Sequence, residues 1–248
     1  MLREIIFQVD YGGLGDHLFY SALPRLLKKN GLADKVFLSN KSNFRNPQIY
    51  DFVWKSNPFL DGLTENIPDI LPPQGREDNS NIINLIFGKF GISSENEIEM
   101  DIYTEVKDNI HLNNKYIDLN YISYIGAFSW LDKIRVYQKY PDHIIINPSR
   151  ITSLLFSCRN KVQTKSLSHY AEIIKNSSSF VTLASGGATL AAALNRPSVV
   201  YYGFGQNRIF HHALHLYTRV GGEGFLRRRL ARFYEKRNAR RIKKSILK

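Results

Sequence analysis

Residues 179–203, SFVTLASGGATLAAALNRPSVVYYG, decide how the chain is read. Phe180 to Leu183 and Ser198 to Tyr202 are short apolar runs rich in β-branched and aromatic side chains, as buried strands are. Between them Ser185-Gly186-Gly187 opens an alanine- and leucine-rich helix that ends at Asn195, and Pro197 prevents its continuation. Strand, tight turn, helix and strand make half of a parallel-sheet unit, with a helix N-terminus at the mouth of the turn. Glycines there allow close approach of a backbone or a ligand, and uncapped N–H groups at the positive end of a helix suit an anion such as a diphosphate. The same pattern serves close packing of helix on sheet, and this stretch alone does not choose between the two.

A second glycine turn lies near the start. Glu4 to Val9 (EIIFQV) is a buried-strand candidate, followed by Asp10-Tyr11-Gly12-Gly13-Leu14-Gly15-Asp16. From about His17 to Lys29, apolar Leu18, Phe19, Ala22, Leu23, Leu26 and Leu27 recur at helical spacing, with a kink expected at Pro24. Lys35 to Leu38 is the next strand, which completes a β-loop-α-β unit. The turn reads GGxG, so neither the GxGxxG dinucleotide fingerprint nor a Walker-type phosphate loop is present.

The intervening chain is less periodic. Phe52 to Trp54 reads as a strand, Asp61-Gly62 as a turn, 68–80 as a polar loop and Asn81 to Phe90 as a helix. Glu97 to Val106 reads as a strand, with Glu95, Glu97, Glu99 and Asp101 alternating on a solvated face, whereas 109–124 fits no pattern. Trp130 to Val136 reads as a helix. A new unit opens at Tyr140-Pro141, with His143 to Ile146 as a strand, Asn147-Pro148-Ser149-Arg150 as a turn and Lys161 to Gln163 as a short strand. Ser166 caps a helix from Leu167 to Lys175. The fold class is therefore α/β, with a boundary near Asp142 separating an N-terminal unit, 1–141, from a second, 142–225.

Composition bounds the function. The chain has 248 residues, 43% of them hydrophobic, and a net charge of +12. From Arg227 to Lys248 there are 11 basic residues and one acid, so +10 of the +12 belongs to the tail and +2 to everything before it. A nearly neutral body argues against nucleic acid as its partner. The tail, 226–248, reads as a basic helix with a thin apolar stripe (Leu230, Phe233, Ile242, Ile246), suited to anionic lipid headgroups. Cys158 is the single cysteine, expected as a small buried side chain; it excludes an intramolecular disulfide and leaves no Cys/His cluster for zinc, and a reducing compartment fits. No leader and no spanning run is evident, so the expected location is cytoplasmic, at the inner face of a membrane. His211, His212 and His215 have helical spacing but no accompanying carboxylate, and no metal or cofactor is expected.

Gly12 to Phe19, continuing to Ala22-Leu23-Pro24, resembles the N-terminal signature of glycosyltransferase family 9, the ADP-heptose:lipopolysaccharide heptosyltransferases. Leu167 to Gly203 is similar to that family's donor-site segment, and Ile146-Asn147-Pro148 to the start of its C-terminal domain. The resemblance implies a GT-B fold of two facing Rossmann-like domains. It also implies an inverting, metal-independent transfer of a sugar, heptose in that family, from a nucleotide-sugar donor to a lipopolysaccharide or other envelope glycan. Asp16 would be the base and Gly12, Gly13, Gly15 and His17 the acceptor-side loop. Ser185, Gly186, Gly187, Thr189, Arg150 and Gly203 would hold the donor, with Lys165 and Arg208 as further cations and Phe204 beside the nucleotide. Where the family usually has Asp before the Ser-Gly pair and His three residues after that glycine, this chain has Ala184 and Thr189. Two other readings follow from that departure and from the GGLG turn: a non-catalytic nucleotide-sugar-binding protein, and an enzyme resembling bacterial fucosyltransferases.

Overall fold

The structure, a computed structural model, describes residues 2–69, 81–92, 98–120, 126, 128–204, 206 and 212–221. The first half contains β1 (Glu4–Phe7), α1 (Leu14–Tyr20), α2 (Leu23–Lys29), β2 (Lys35–Ser39), β3 (Gly62–Thr64) and α3 (Ile82–Lys89). Its strands form a parallel sheet in the order β1-β2-β3. The second half contains β4 (Lys115–Asp118), α4 (Trp130–Lys139), β5 (Ile144–Ile146), α5 (Arg150–Leu155) and β6 (Lys161–Val162), then α6 (Leu167–Asn176), β7 (Ser179–Leu183), α7 (Gly186–Ala193), β8 (Val199–Tyr202) and β9 (Leu216–Arg219). Its six strands are parallel, ordered β6-β5-β4-β7-β8-β9.

Two parallel sheets are as the sequence predicts, but they do not divide at Asp142. β4 is a central strand of the second sheet and lies well before that boundary. Its apolar stretch is short, Tyr116-Ile117, and its last residue is a buried Asp118, which hides it from a search for apolar runs.

The helix expected from His17 to Lys29 is two helices. α1 starts earlier because the Gly13 N–H donates to Asp16 Oδ2 (3.0 Å), the carboxylate half of a capping box, which closes its first turn. Between the helices the Ser21 hydroxyl donates to Leu18 O (2.8 Å) and accepts from the Asp101 N–H (2.9 Å), while Pro24 falls in the first turn of α2. Phe52 to Trp54 forms no strand: Tyr50–Trp54 is a π-helical turn that buries Phe52, Val53 and Trp54 together. Described residues 98–106 are irregular. Asp101 there is half-buried and takes two hydrogen bonds from Arg25, at 2.7 and 3.0 Å. Cys158, expected buried, is exposed. The expected tail helix lies outside the described residues.

One apolar core spans both sheets, joining Phe7, Leu18, Leu23, Val36 and Trp54 of the first half to Tyr116, Ile146, Phe180, Leu190 and Ala191 of the second. A smaller core on the opposite face of the second sheet gathers Ile117, Ile145 and Val181 with Val136 and Tyr137 of α4 and Phe156. The strand residues alternate between the two, as the pleat requires.

Candidate functional site

From β4 the chain steps through β5 and β6 in one direction, then returns to β7 and steps through β8 and β9 in the other. β4 and β7 therefore flank the reversal point, where a doubly wound sheet leaves a crevice at its carboxyl ends. The segments that meet there are Asp118 to Asn120 at the end of β4, Asn147 after β5, Ala184-Ser185 leading into α7, and Gly203 after β8. Asn147 holds a positive φ of 47°, which Asn tolerates better than most residues. Its side chain binds Thr164, accepting from the backbone N–H at 2.7 Å.

The first half contributes its glycine turn to the same place. A Cβ on Gly15 would stand 3.2 Å from Gly186 Cα and 3.2 Å from Thr189 Oγ1, and one on Gly186 would stand 3.2 Å from Gly15 N. The two turns are thus in direct contact and not across an open gap. Gly12 is equally constrained, its missing Cβ lying 2.8 Å from Asn43 O. Gly13 has Arg45 Nη1 3.9 Å from the same position, which puts an exposed guanidinium beside the Asp16 turn.

At the mouth of α7 the Ser185 side chain caps none of the first-turn N–H groups, its hydroxyl donating instead to Leu183 O (3.3 Å). Gly187 and Thr189, expected as donor contacts, are buried. Gly187 has no Cβ because the Tyr170 hydroxyl occupies the space, 2.5 Å from where one would be, and Thr189 faces Gly15. Beneath them the Tyr170 O–H donates to Asp118 Oδ2 (2.6 Å), and Asn120 donates from its backbone and side chain to Oδ1, both at 2.9 Å. Burial pushes the Asp118 carboxyl upward, and these three hydrogen bonds and the nearby Lys133 charge oppose it. Asn120 also donates to Ile146 O and Asn147 O, tying the ends of β4 and β5 together.

His17, expected in the acceptor-side loop, is fully buried. Its Nε2–H donates to Asn43 O (2.8 Å), and its Nδ1 accepts from the Trp54 indole N–H (2.9 Å). Burial, partly opposed by the Asn43 bond, lowers its pKa to about 4. It is a neutral strut and cannot touch an acceptor. Arg150 is exposed at the start of α5, on the side of the sheet opposite α7; Lys165 is exposed, its backbone N–H bonded to His169. Gly203 is buried beneath Gly126, whose missing Cβ leaves room for its carbonyl, 2.6 Å from where one would be. Arg208 and His211 lie outside the described residues. The His215 Nε2–H donates to Ala188 O (2.8 Å), and no group of three potential metal ligands occurs among the described residues.

The structure therefore unites Gly12, Gly13, Gly15, Asp16, Ser185 and Gly186, leaves Arg150 on the other side of the sheet, and buries His17 beneath the first turn. Arg45, Asp118, Asn120 and Tyr170 join this region without having been singled out in the sequence. Asp118-Leu119-Asn120 carried one usable signal, a carboxylate and an amide directly after a two-residue apolar pair.

No protein-family model and no curated protein sequence matches the chain. Solved structures do. A glycosyltransferase family 9 protein from Veillonella parvula superposes with a TM-score of 0.61 at 11% identity, over 88% of this chain and 86% of that one. The ADP-heptose lipopolysaccharide heptosyltransferase II of E. coli gives 0.56 at 11% identity, over 90% and 92%. The dodecameric iron-containing heptosyltransferase TibC, solved with ADP-D-β-D-heptose, gives 0.59 at 14%, over 90% of this chain but 63% of its own. At such identities the likeness is one of fold, and the chain has the two-sheet, GT-B-like fold of these glycosyltransferase structures.

Proposed function

We propose that the protein is a glycosyltransferase that moves a sugar from a nucleotide-sugar donor to a glycan or lipid-linked acceptor of the cell envelope, with inversion and without a metal. The observation that carries this reading is the contact of Gly15 with Gly186, which brings the carboxylate-bearing turn of one sheet to the uncapped helix mouth at the reversal point of the other. The acceptor hydroxyl attacks the anomeric carbon, its proton passes to Asp16, and the bond from that carbon to the diphosphate oxygen breaks. The nucleoside diphosphate leaves with that electron pair, and the first-turn N–H groups of α7 and the Arg45 guanidinium stabilise its charge. Ser185 and Gly186 contact phosphate; Gly187 and Thr189 support them from beneath. The basic segment 227–248 holds the enzyme at an anionic membrane surface.

A thermal-shift screen of nucleoside diphosphates and nucleotide sugars tests the reading, since a ligand that binds only the folded state raises Tm. A hit followed by transfer to envelope glycan, detected as mass gain, supports the enzyme. A hit without transfer by any donor favours the binding-only reading, to which the burial of Thr189 in the α1–α7 contact lends weight. No shift with any nucleotide rejects both.

A further inference from the structure

We propose that the outer surface of α4 and α5 docks onto an anionic lipid bilayer, independently of the basic tail and of the transfer reaction proposed above. The β4–β5 and β5–β6 connections step in the same direction, so right-handed crossovers lay both helices on one face of the sheet, opposite α6 and α7. The Tyr137 and Phe156 rings meet at 5.0 Å and join the two helices. Their inner sides complete the smaller core, but their outer sides are apolar as well. Trp130 is 58% exposed, Leu131 52%, Ile151 69%, Leu154 78% and Leu155 49%.

These are not scattered residues. Ile151, Leu154 and Leu155 stand at i, i+3 and i+4 on one side of α5, and Trp130 and Leu131 occupy the first turn of α4. The N-termini of both helices follow the carboxyl ends of their strands, so the patch borders the edge that carries the candidate site. An exposed apolar stripe of this kind calls for an occupant. Charge identifies it: between residues 130 and 165 the exposed charged side chains are Arg135, Lys139, Arg150 and Lys165 against the single acid Asp142. Arg135 lies four residues after Leu131, and Arg150 four before Leu154, which puts cations beside the apolar stripe on the same helix faces. Tryptophan and aliphatic side chains flanked by cations are the composition of a surface that lies in the headgroup region of anionic membranes.

The protein carries its own reporter. It has two tryptophans, and Trp54 is enclosed and bonded to His17, so a change in emission on docking belongs to Trp130. The full chain is mixed with phosphatidylcholine vesicles with and without phosphatidylglycerol, a part of the lipid bearing brominated acyl chains. The expected result is a blue shift and bromine quenching on phosphatidylglycerol vesicles. Both disappear in Trp130→Phe, which still binds. In sedimentation with vesicles, the combined Ile151→Ser, Leu154→Ser and Leu155→Ser chain, with its melting curve retained, binds more than about tenfold more weakly. Vesicle binding that leaves Trp130 unquenched and is indifferent to the triple substitution assigns docking to the tail and overturns the proposal. So does a concentration-dependent dimer abolished by the same substitutions in a chain that ignores vesicles, which would make the patch an interface between two copies.

Discussion

Gly15 and Gly186 touch: the backbone N of Gly15 lies 3.2 Å from where a Gly186 side chain would begin, and Gly186 Cα equally close to where a Gly15 side chain would begin. Two helix starts from opposite halves of the chain are thereby locked together by the lack of a side chain on either. Gly15→Ala and Gly186→Ala should each push α1 from α7 at a cost of about 1–3 kcal/mol, as overpacking of a closed contact does. Because both act on one contact, their effects on the thermal midpoint should fall short of adding. A fully additive pair would show that the helices do not share this contact.

Asp16 has a structural task, accepting from the Gly13 N–H, and the chemical one proposed above. Asp16→Asn keeps a carbonyl oxygen for the N–H but removes the proton acceptor. Turnover should drop about 10²–10⁴-fold with nucleotide binding and Tm nearly unchanged. Unchanged turnover would remove Asp16 from the base role.

His17 makes stability depend on pH. Its folded pKa, about 4, lies below its unfolded value of 6.5, so the unfolded chain binds the proton first as pH falls. Stability from this group is complete above about pH 6.5 and declines through the window down to pH 4, by about 3 kcal/mol in all. Urea melts at intervals of half a pH unit should show that slope, and His17→Phe should flatten it. The same variant leaves the Trp54 indole N–H and Asn43 O without their partner and should lose about 1–3 kcal/mol at neutral pH.

Tyr170 donates to a buried Asp118 whose carboxyl is already pushed up by desolvation. Tyr170→Phe removes this bond and leaves the buried carboxyl one donor short, costing about 1–3 kcal/mol. It should raise the Asp118 pKa further, so the deficit narrows in acid, where Asp118 is protonated in both proteins. A deficit constant across pH would mean that the Tyr170 ring, not its hydroxyl, is what matters.

The sequence by itself determined the local units. Residues 179–203 gave strand, turn, helix and strand as they stand in β7, α7 and β8, Ser166 gave the cap of α6, and Asn81 to Phe90 the helix α3. In these stretches periodicity, caps and breakers act within a few residues, and nothing distant overrides them. The glycine turn at 12–16 and its carboxylate were legible for the same reason.

Only the tertiary structure decided what those glycines are for. A missing Cβ records that something approaches closely, but not whether it is a ligand or another helix, and here Gly15, Gly186 and Gly187 meet Gly186, Gly15 and the Tyr170 hydroxyl. The resemblance carried His17 into the acceptor-side loop because burial is not visible in a sequence; Trp54 and Asn43 enclose it from 37 and 26 positions away. β4 was invisible because a short strand ending in an acid gains its stability from β5 and β7 on either side, and from Tyr170 and Asn120 beneath its carboxylate. Non-local partners supply the free energy in each case, and the chain's order along the sequence does not contain them.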